Sequence, residues 1–131
     1  MHVRGVRGAT TAESNTPEAI LTATRDLLAY LASQNEIQPD EIAAVFFTAT
    51  PDLTAAYPAE AARQMGWRSV PLLSGADIAV PGALPLCIRV LILWNTTRAQ
   101  TEIVHGYLRG AAVLRPDLSA PSGSPLTAND D

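Results

Sequence analysis

The chain opens with Val3 and Val6 interleaved by Arg4 and Arg7, so residues 2–10 are predicted to form a strand ending in a glycine-bearing segment. The rhythm then changes. Ile20, Leu21, Leu27, Leu28 and Leu31 fall on one helical stripe opposite Thr22, Arg25 and Asp26. Thr16-Pro17-Glu18 starts that helix with a cap oxygen, a first-turn proline and an acid near the positive end of the dipole. Residues 42–50 are rich in Val and Phe and scarcely alternate, the pattern of a strand buried on both faces. Pro58 opens a short amphipathic helix over 59–65, which Gly66 closes in the left-handed conformation. Further strands are predicted at 70–73 and 87–95, with a turn at Pro81-Gly82 between them. Residues 103–108 and 111–114 also read as extended, interrupted by Gly106 and Gly110.

Strands and helices alternate early and strands dominate later, which predicts an α/β (α+β) fold: a mixed sheet with helices on one face. At 131 residues and 47% hydrophobic content the chain can bury one core, so a single domain over 1–118 is expected. The polar, Pro- and Gly-containing segment 119–131 is expected to be a flexible C-terminal tail. Two helices are few for strands this apolar, and an identical subunit is the expected cover for the remainder.

Charge narrows the choice of partner. The net charge is −4 and the nine arginines are scattered singly, so the continuous basic stripe of a nucleic-acid binder is lacking. No stretch approaches the roughly 18 consecutive apolar residues of a membrane span, and the first residues lack an apolar secretory core. A lone Cys87 in an apolar run cannot form an intramolecular disulfide. A soluble, cytoplasmic protein with no nucleic-acid or membrane partner is the expectation.

Every cationic side chain is arginine; there is no lysine. A guanidinium grips a carboxylate through two parallel bonds and does not titrate away, which favours a carboxylate ligand. Biased codon usage produces the same composition, so placement decides. Arg89 stands among Ile88, Val90, Leu91, Ile92 and Leu93, where an unpaired charge would be costly. It needs either an internal acid, with Asp77 and Asp52 the candidates, or a ligand. Arg7 lies between Gly5 and Gly8, where backbone could approach a ligand closely.

Several motifs occur in order. They are Arg4-Gly5-Val6-Arg7-Gly8-Ala9-Thr10-Thr11, Thr50-Pro51-Asp52-Leu53, Pro58-Ala59-Glu60-Ala61-Ala62-Arg63, Val80-Pro81-Gly82-Ala83-Leu84-Pro85 leading into Cys87-Ile88-Arg89-Val90, Tyr107-Leu108, and Leu114-Arg115-Pro116-Asp117-Leu118. Together, over roughly residues 3–118, they resemble the monofunctional chorismate mutases of the AroH class. The resemblance implies a trimer of pseudo-α/β-barrel subunits that convert chorismate to prephenate in aromatic amino acid biosynthesis, at sites between subunits, with no cofactor and no metal. By the same resemblance Arg7 would bind a substrate carboxylate with Tyr107, and Arg89 would donate to the ether oxygen and a carboxylate. Tyr57 and Arg63 would reach in from the adjoining subunit, Leu73, Ser74 and Leu114 would form the wall, and Arg115 with the tail would cover the entrance.

The chain departs from that family in places. Asp77 stands where a glutamate commonly meets the substrate hydroxyl, which shortens the carboxylate by one methylene. Ser74 stands where some relatives have Cys, Ala79 replaces an acid, and Glu60 replaces a frequent Lys at the mouth. These changes keep two alternatives open: a related pericyclic enzyme or binding protein for another cyclic dicarboxylate such as isochorismate, or a non-catalytic small-ligand trimer.

Overall fold

The computed structural model describes residues 1–118; the expected tail at 119–131 lies outside the described residues. Within the described residues the chain runs β1 (His2–Thr11), α1 (Pro17–Asn35), β2 (Ile42–Ala49), α2 (Ala59–Gln64), β3 (Leu72–Ala76), β4 (Cys87–Thr96) and β5 (Gly106–Tyr107). The strands form one sheet in the order β3-β2-β4-β1-β5. β4 is antiparallel to both its neighbours, while β3 runs parallel to β2 and β5 parallel to β1, so the sheet is mixed as expected.

Local chemistry starts α1 where the sequence placed it and also fixes its end. The Thr16 hydroxyl accepts the Ala19 N–H at 3.2 Å and Pro17 occupies the first turn. At the other end Glu36 takes the left-handed conformation at φ 59°, and the Ile37 N–H reaches back to the Ala32 carbonyl. The buried stripe of α1 includes Ile20, Ala23, Leu27, Leu28 and Leu31. Leu27, Leu28 and Leu31 pack on Val6 of β1, Val45 and Phe47 of β2, and Val90, Ile92 and Trp94 of β4, with Ala59 and Ala62 of α2 in the same cluster. Both helices therefore lie on one face. Two glycines let α1 come this close: a Cβ on Gly8 would sit 2.8 Å from a Leu31 methyl, and one on Gly106 would sit 2.7 Å from the Tyr30 ring.

Three expectations need correcting. Residues 111–114 are not extended. Arg109 turns left-handed at φ 52°, the Gly110 N–H binds the Thr11 hydroxyl, and Arg109–Val113 coil into a 3₁₀ helix. β5 correspondingly shrinks from the expected 103–108 to two residues. Second, β2 is not buried on both faces within the chain. Val45 and Phe47 point to the helices, whereas Phe46 is 37% exposed on the other side. Third, Arg89 is not embedded among its sequence neighbours. Side chains alternate along a strand, so Ile88, Val90 and Ile92 turn to the helices while Arg89 and Leu91 turn to the uncovered face.

Candidate active site

The uncovered face owes its character to register. Arg7 of β1 pairs with Leu91 of β4, which pairs with Phe46 of β2, which pairs with Leu73 of β3. The next row on the same face runs Ala9, Arg89, Thr48, Gly75. Arg7 and Arg89 are thus diagonal neighbours on adjacent antiparallel strands, a placement that sets their Cα atoms about 7–8 Å apart. Two guanidinium groups on one rigid sheet at that spacing suit a dianion.

A cleft of about 360 Å³ opens over these rows, lined by Arg7, Gly8, Phe46, Thr48, Asp77, Arg89, Val90, Leu91 and Tyr107. The Arg89 Nε–H donates to Asp77 Oδ2 at 3.3 Å, with the arginine side chain 32% and the aspartate 16% exposed. Of the two acids considered for Arg89, Asp77 is the partner. Asp52 is engaged elsewhere, accepting from the Thr50 hydroxyl and from the Leu86 N–H. Those bonds, the Thr50 hydroxyl foremost, hold the Asp52 carboxyl below its usual range although partial burial opposes them. Arg7 is fixed from its backbone, whose N–H donates to His105 Nδ1 at 2.9 Å. Tyr107 is 1% exposed and packs with Ala9 and Ala111, against which Leu114 also leans.

Three further candidates, Tyr57, Ser74 and Arg63, lie apart from this cleft. Tyr57 and Ser74 line a larger hollow of about 490 Å³ beside β3, whose lining contains no charged side chain. Tyr57 is 74% and Leu73 62% exposed. Arg63 sits with Trp67 and Arg68 in a third hollow of about 200 Å³ and is bound to Glu60 at 2.9 Å on its own helix turn. One chain therefore gathers Arg7, Asp77, Arg89 and Tyr107, and leaves Tyr57, Arg63 and Ser74 outside. Volume alone would favour the larger hollow, but only the smaller one holds opposed charges that can bind and polarise a ligand.

Two features escaped the sequence reading. Thr48, Phe46 and Leu91 join the cleft, and strict period-two counting outward from Arg89 would have found Leu91. Asp117 was the other: Arg115 grips it with two bonds, Nε to Oδ1 at 3.2 Å and a terminal nitrogen to Oδ2 at 3.0 Å. That grip pulls the Asp117 carboxyl below its usual range, and Arg7 adds a smaller attraction. No group of His, Cys, Asp and Glu among the described residues has the arrangement of a metal site.

Comparison with known proteins gives the same frame. The family model for chorismate mutase type I matches residues 3–118. The chain belongs to the chorismate mutase type I family. Chorismate mutase AroH of Thermus thermophilus is 58% identical over 119 residues, covering 90% of this chain and 98% of that protein. Chorismate mutase AroH of Bacillus subtilis (strain 168) is 42% identical over 127 residues, covering 96% of this chain and all of the relative. Among solved structures, a chorismate mutase from Clostridium thermocellum superposes with a TM-score of 0.83 at 46% identity, over 84% of this chain and 98% of that one. As a chorismate mutase type I chain, the protein carries its opening motif on β1, where Arg7 and Gly8 line the cleft, whereas Thr50, Pro51 and Leu53 just after β2 line the larger hollow instead.

Proposed function

We propose that this protein is a chorismate mutase, converting chorismate to prephenate by an intramolecular [3,3] rearrangement in aromatic amino acid biosynthesis. The observation that carries the reading is the pair of guanidinium groups, Arg7 and Arg89, sharing one cleft with the acid Asp77 in a chain of this family. The rearrangement breaks a C–O bond and forms a C–C bond within one molecule. It requires no nucleophile and no external electron acceptor, only the right conformer and compensation for charge. Arg7, with Tyr107 beside it, binds a carboxylate and selects the folded conformer, offsetting the entropy of adopting it. Arg89 meets the negative charge growing on the ether oxygen; its strand is fixed on both sides, so little reorganisation accompanies the reaction. Asp77 holds Arg89 in place and, once the ligand arrives, accepts from the substrate hydroxyl.

The assembly is a homotrimer with sites between subunits. Supporting this, Tyr57, Arg63 and Ser74 fall outside the Arg7–Arg89 cleft of their own chain, and Phe46, Leu73 and Leu91 leave apolar surface beside that cleft. A second copy supplies the missing wall and covers the face. Leu114 and Arg115, approaching from the C-terminal side, close the entrance. The protein works in the cytoplasm, a compartment that suits its single buried cysteine; no helix among the described residues is long and apolar enough to cross a membrane.

The test is direct. Purified protein should consume chorismate and release prephenate in buffer alone, followed by loss of substrate absorbance; no acceleration over buffer would remove the reading. Arg63→Ala and Arg89→Ala chains, each inactive alone, should regain part of the activity when dissociated together and reassembled, because some interfaces then hold both native arginines. Failure to recover in verified mixed oligomers would place the whole site within one chain.

A further inference from the structure

Among the described residues, two buried side-chain oxygens have no hydrogen-bond partner: the hydroxyls of Thr10 and Thr48. Leaving a buried hydroxyl unpaired destabilises a fold, and valine would fill the same space without that penalty. The two threonines differ in where they stand. Thr10 is wholly buried and pairs with Ile88, which packs on the helix side with Ile20 and Ala23. Thr48 pairs with Arg89 and lines the cleft.

Strand order makes the position of Thr48 specific. β2 lies between β3 and β4, so Thr48 sits between Arg89 on β4 and Asp77, which follows β3 and donates its backbone N–H to the Ala49 carbonyl of β2. To reach Asp77, the Arg89 side chain spans β2 at the level of Thr48 and Thr50, and of these two the Thr50 hydroxyl is already engaged with Asp52. The next residue in that row is Gly75, which offers the guanidinium no side chain. Thr48 itself is only partly buried although its oxygen is fully so; what it shows to the cleft is not the hydroxyl. One χ1 step brings a threonine's hydroxyl to the place its methyl held, the methyl moving to that of the β-hydrogen.

We propose that Thr48 is a positioning residue for Arg89. When the ligand's hydroxyl engages Asp77, the Arg89 guanidinium turns from the acid toward the ligand, and the Thr48 hydroxyl rotates to accept one of its N–H groups. Arginine has five such donors in a fixed fork, so one bond to Thr48 sets the plane of the rest. The unpaired hydroxyl of the free protein is the counterpart of that bond, formed only with ligand in place. This inference rests on the chorismate mutase reading, and wild-type turnover is measured first so that failure of the two can be told apart.

The experiment compares Thr48→Val, Thr48→Ser and Thr10→Val, each by thermal melt and by steady-state kinetics on chorismate. Both valine variants should melt no lower than wild type. Thr48→Val should lose about tenfold in kcat, the usual scale for a hydrogen bond to a charged group, with KM changed far less. Thr48→Ser should keep most of kcat, and Thr10→Val should keep all of it. Full kcat in Thr48→Val, or an equal loss in Thr10→Val, overturns the assignment. Wild-type protein that leaves chorismate unchanged overturns it as well, together with the function beneath it.

Discussion

Phe46 and Phe47 are neighbours on β2, and they face opposite sides of the sheet. Phe47 is 1% exposed and packs under the helices with Val45, Val90 and Ile92. Phe46 is 37% exposed, in a row with Arg7, Leu91 and Leu73. The same alternation divides β4, where Ile88, Val90 and Ile92 serve the core and Arg89 serves the cleft. Period-two geometry thus writes stability and chemistry on the same strands at interleaved positions. The helix-covered face is filled by the chain's own residues; the other carries charge and apolar surface that one chain leaves uncovered.

The sharpest way to break that division is to truncate the two phenylalanines separately. Phe47→Ala should cost about 3–5 kcal/mol of stability through the cavity left under α1, read by denaturant unfolding. Phe46→Ala should cost less, about 1–2 kcal/mol, in the same measurement at concentrations where subunits are separated, because its side chain is only partly buried within the chain. Its effect should appear in assembly, as a larger subunit dissociation constant by analytical ultracentrifugation. Equal losses of chain stability from the two variants would mean that the faces are not distinct.

Arg89→Ala probes the opposite side. Removing one preorganised donor to a developing oxyanion typically lowers kcat about 10²–10³-fold. The melting temperature should hardly move, because the Arg89–Asp77 pair is part-exposed and such pairs contribute about 0–1 kcal/mol. A fully active variant would refute the role, and a collapsed one would show that the guanidinium belongs to the core after all.

The helix-covered face was the more legible in the sequence, for a physical reason. Its signals are local: the Thr16 cap, the stripe from Ile20 to Leu31, and Gly66 at φ 93° ending α2 all act within a few residues. The cleft depends on pairing between strands far apart in sequence. Arg7 and Arg89 were picked out as single residues, but their diagonal placement follows from a β1–β4 register that no local pattern specifies. Reading β2 as doubly buried failed because Ala43 and Ala44 blur the alternation at a bulge near Ile42. The 3₁₀ turn at Arg109–Val113 was missed because an arginine at φ 52° carries no sequence mark, whereas a glycine there would have. The motif resemblance brought in Tyr57, Arg63 and Ser74, which the residues of one chain do not gather on their own.

The smallest effect should come from the junction between the two faces, where β2 ends and β4 begins. Asp52 there accepts from the Thr50 hydroxyl and the Leu86 N–H, while the Thr50 oxygen takes the Cys87 N–H at 2.9 Å. This clamp secures Leu86, a non-glycine residue at φ 53°, three positions before Arg89. Because its folded carboxyl titrates below the unfolded value of about 3.9, ionised Asp52 favours the fold. Its stabilisation is complete above that unfolded value and drains away as pH falls through the lower folded one. Asp52→Asn removes the charge and leaves one carbonyl oxygen where two carboxylate oxygens each took a donor, and the site is open to solvent, so the deficit at neutral pH should be about 1 kcal/mol. The gap between wild type and variant should close as denaturant melts are repeated down to acidic pH, where wild-type Asp52 is protonated too. A gap that stayed constant across that range would mean that shape, not charge, holds the clamp.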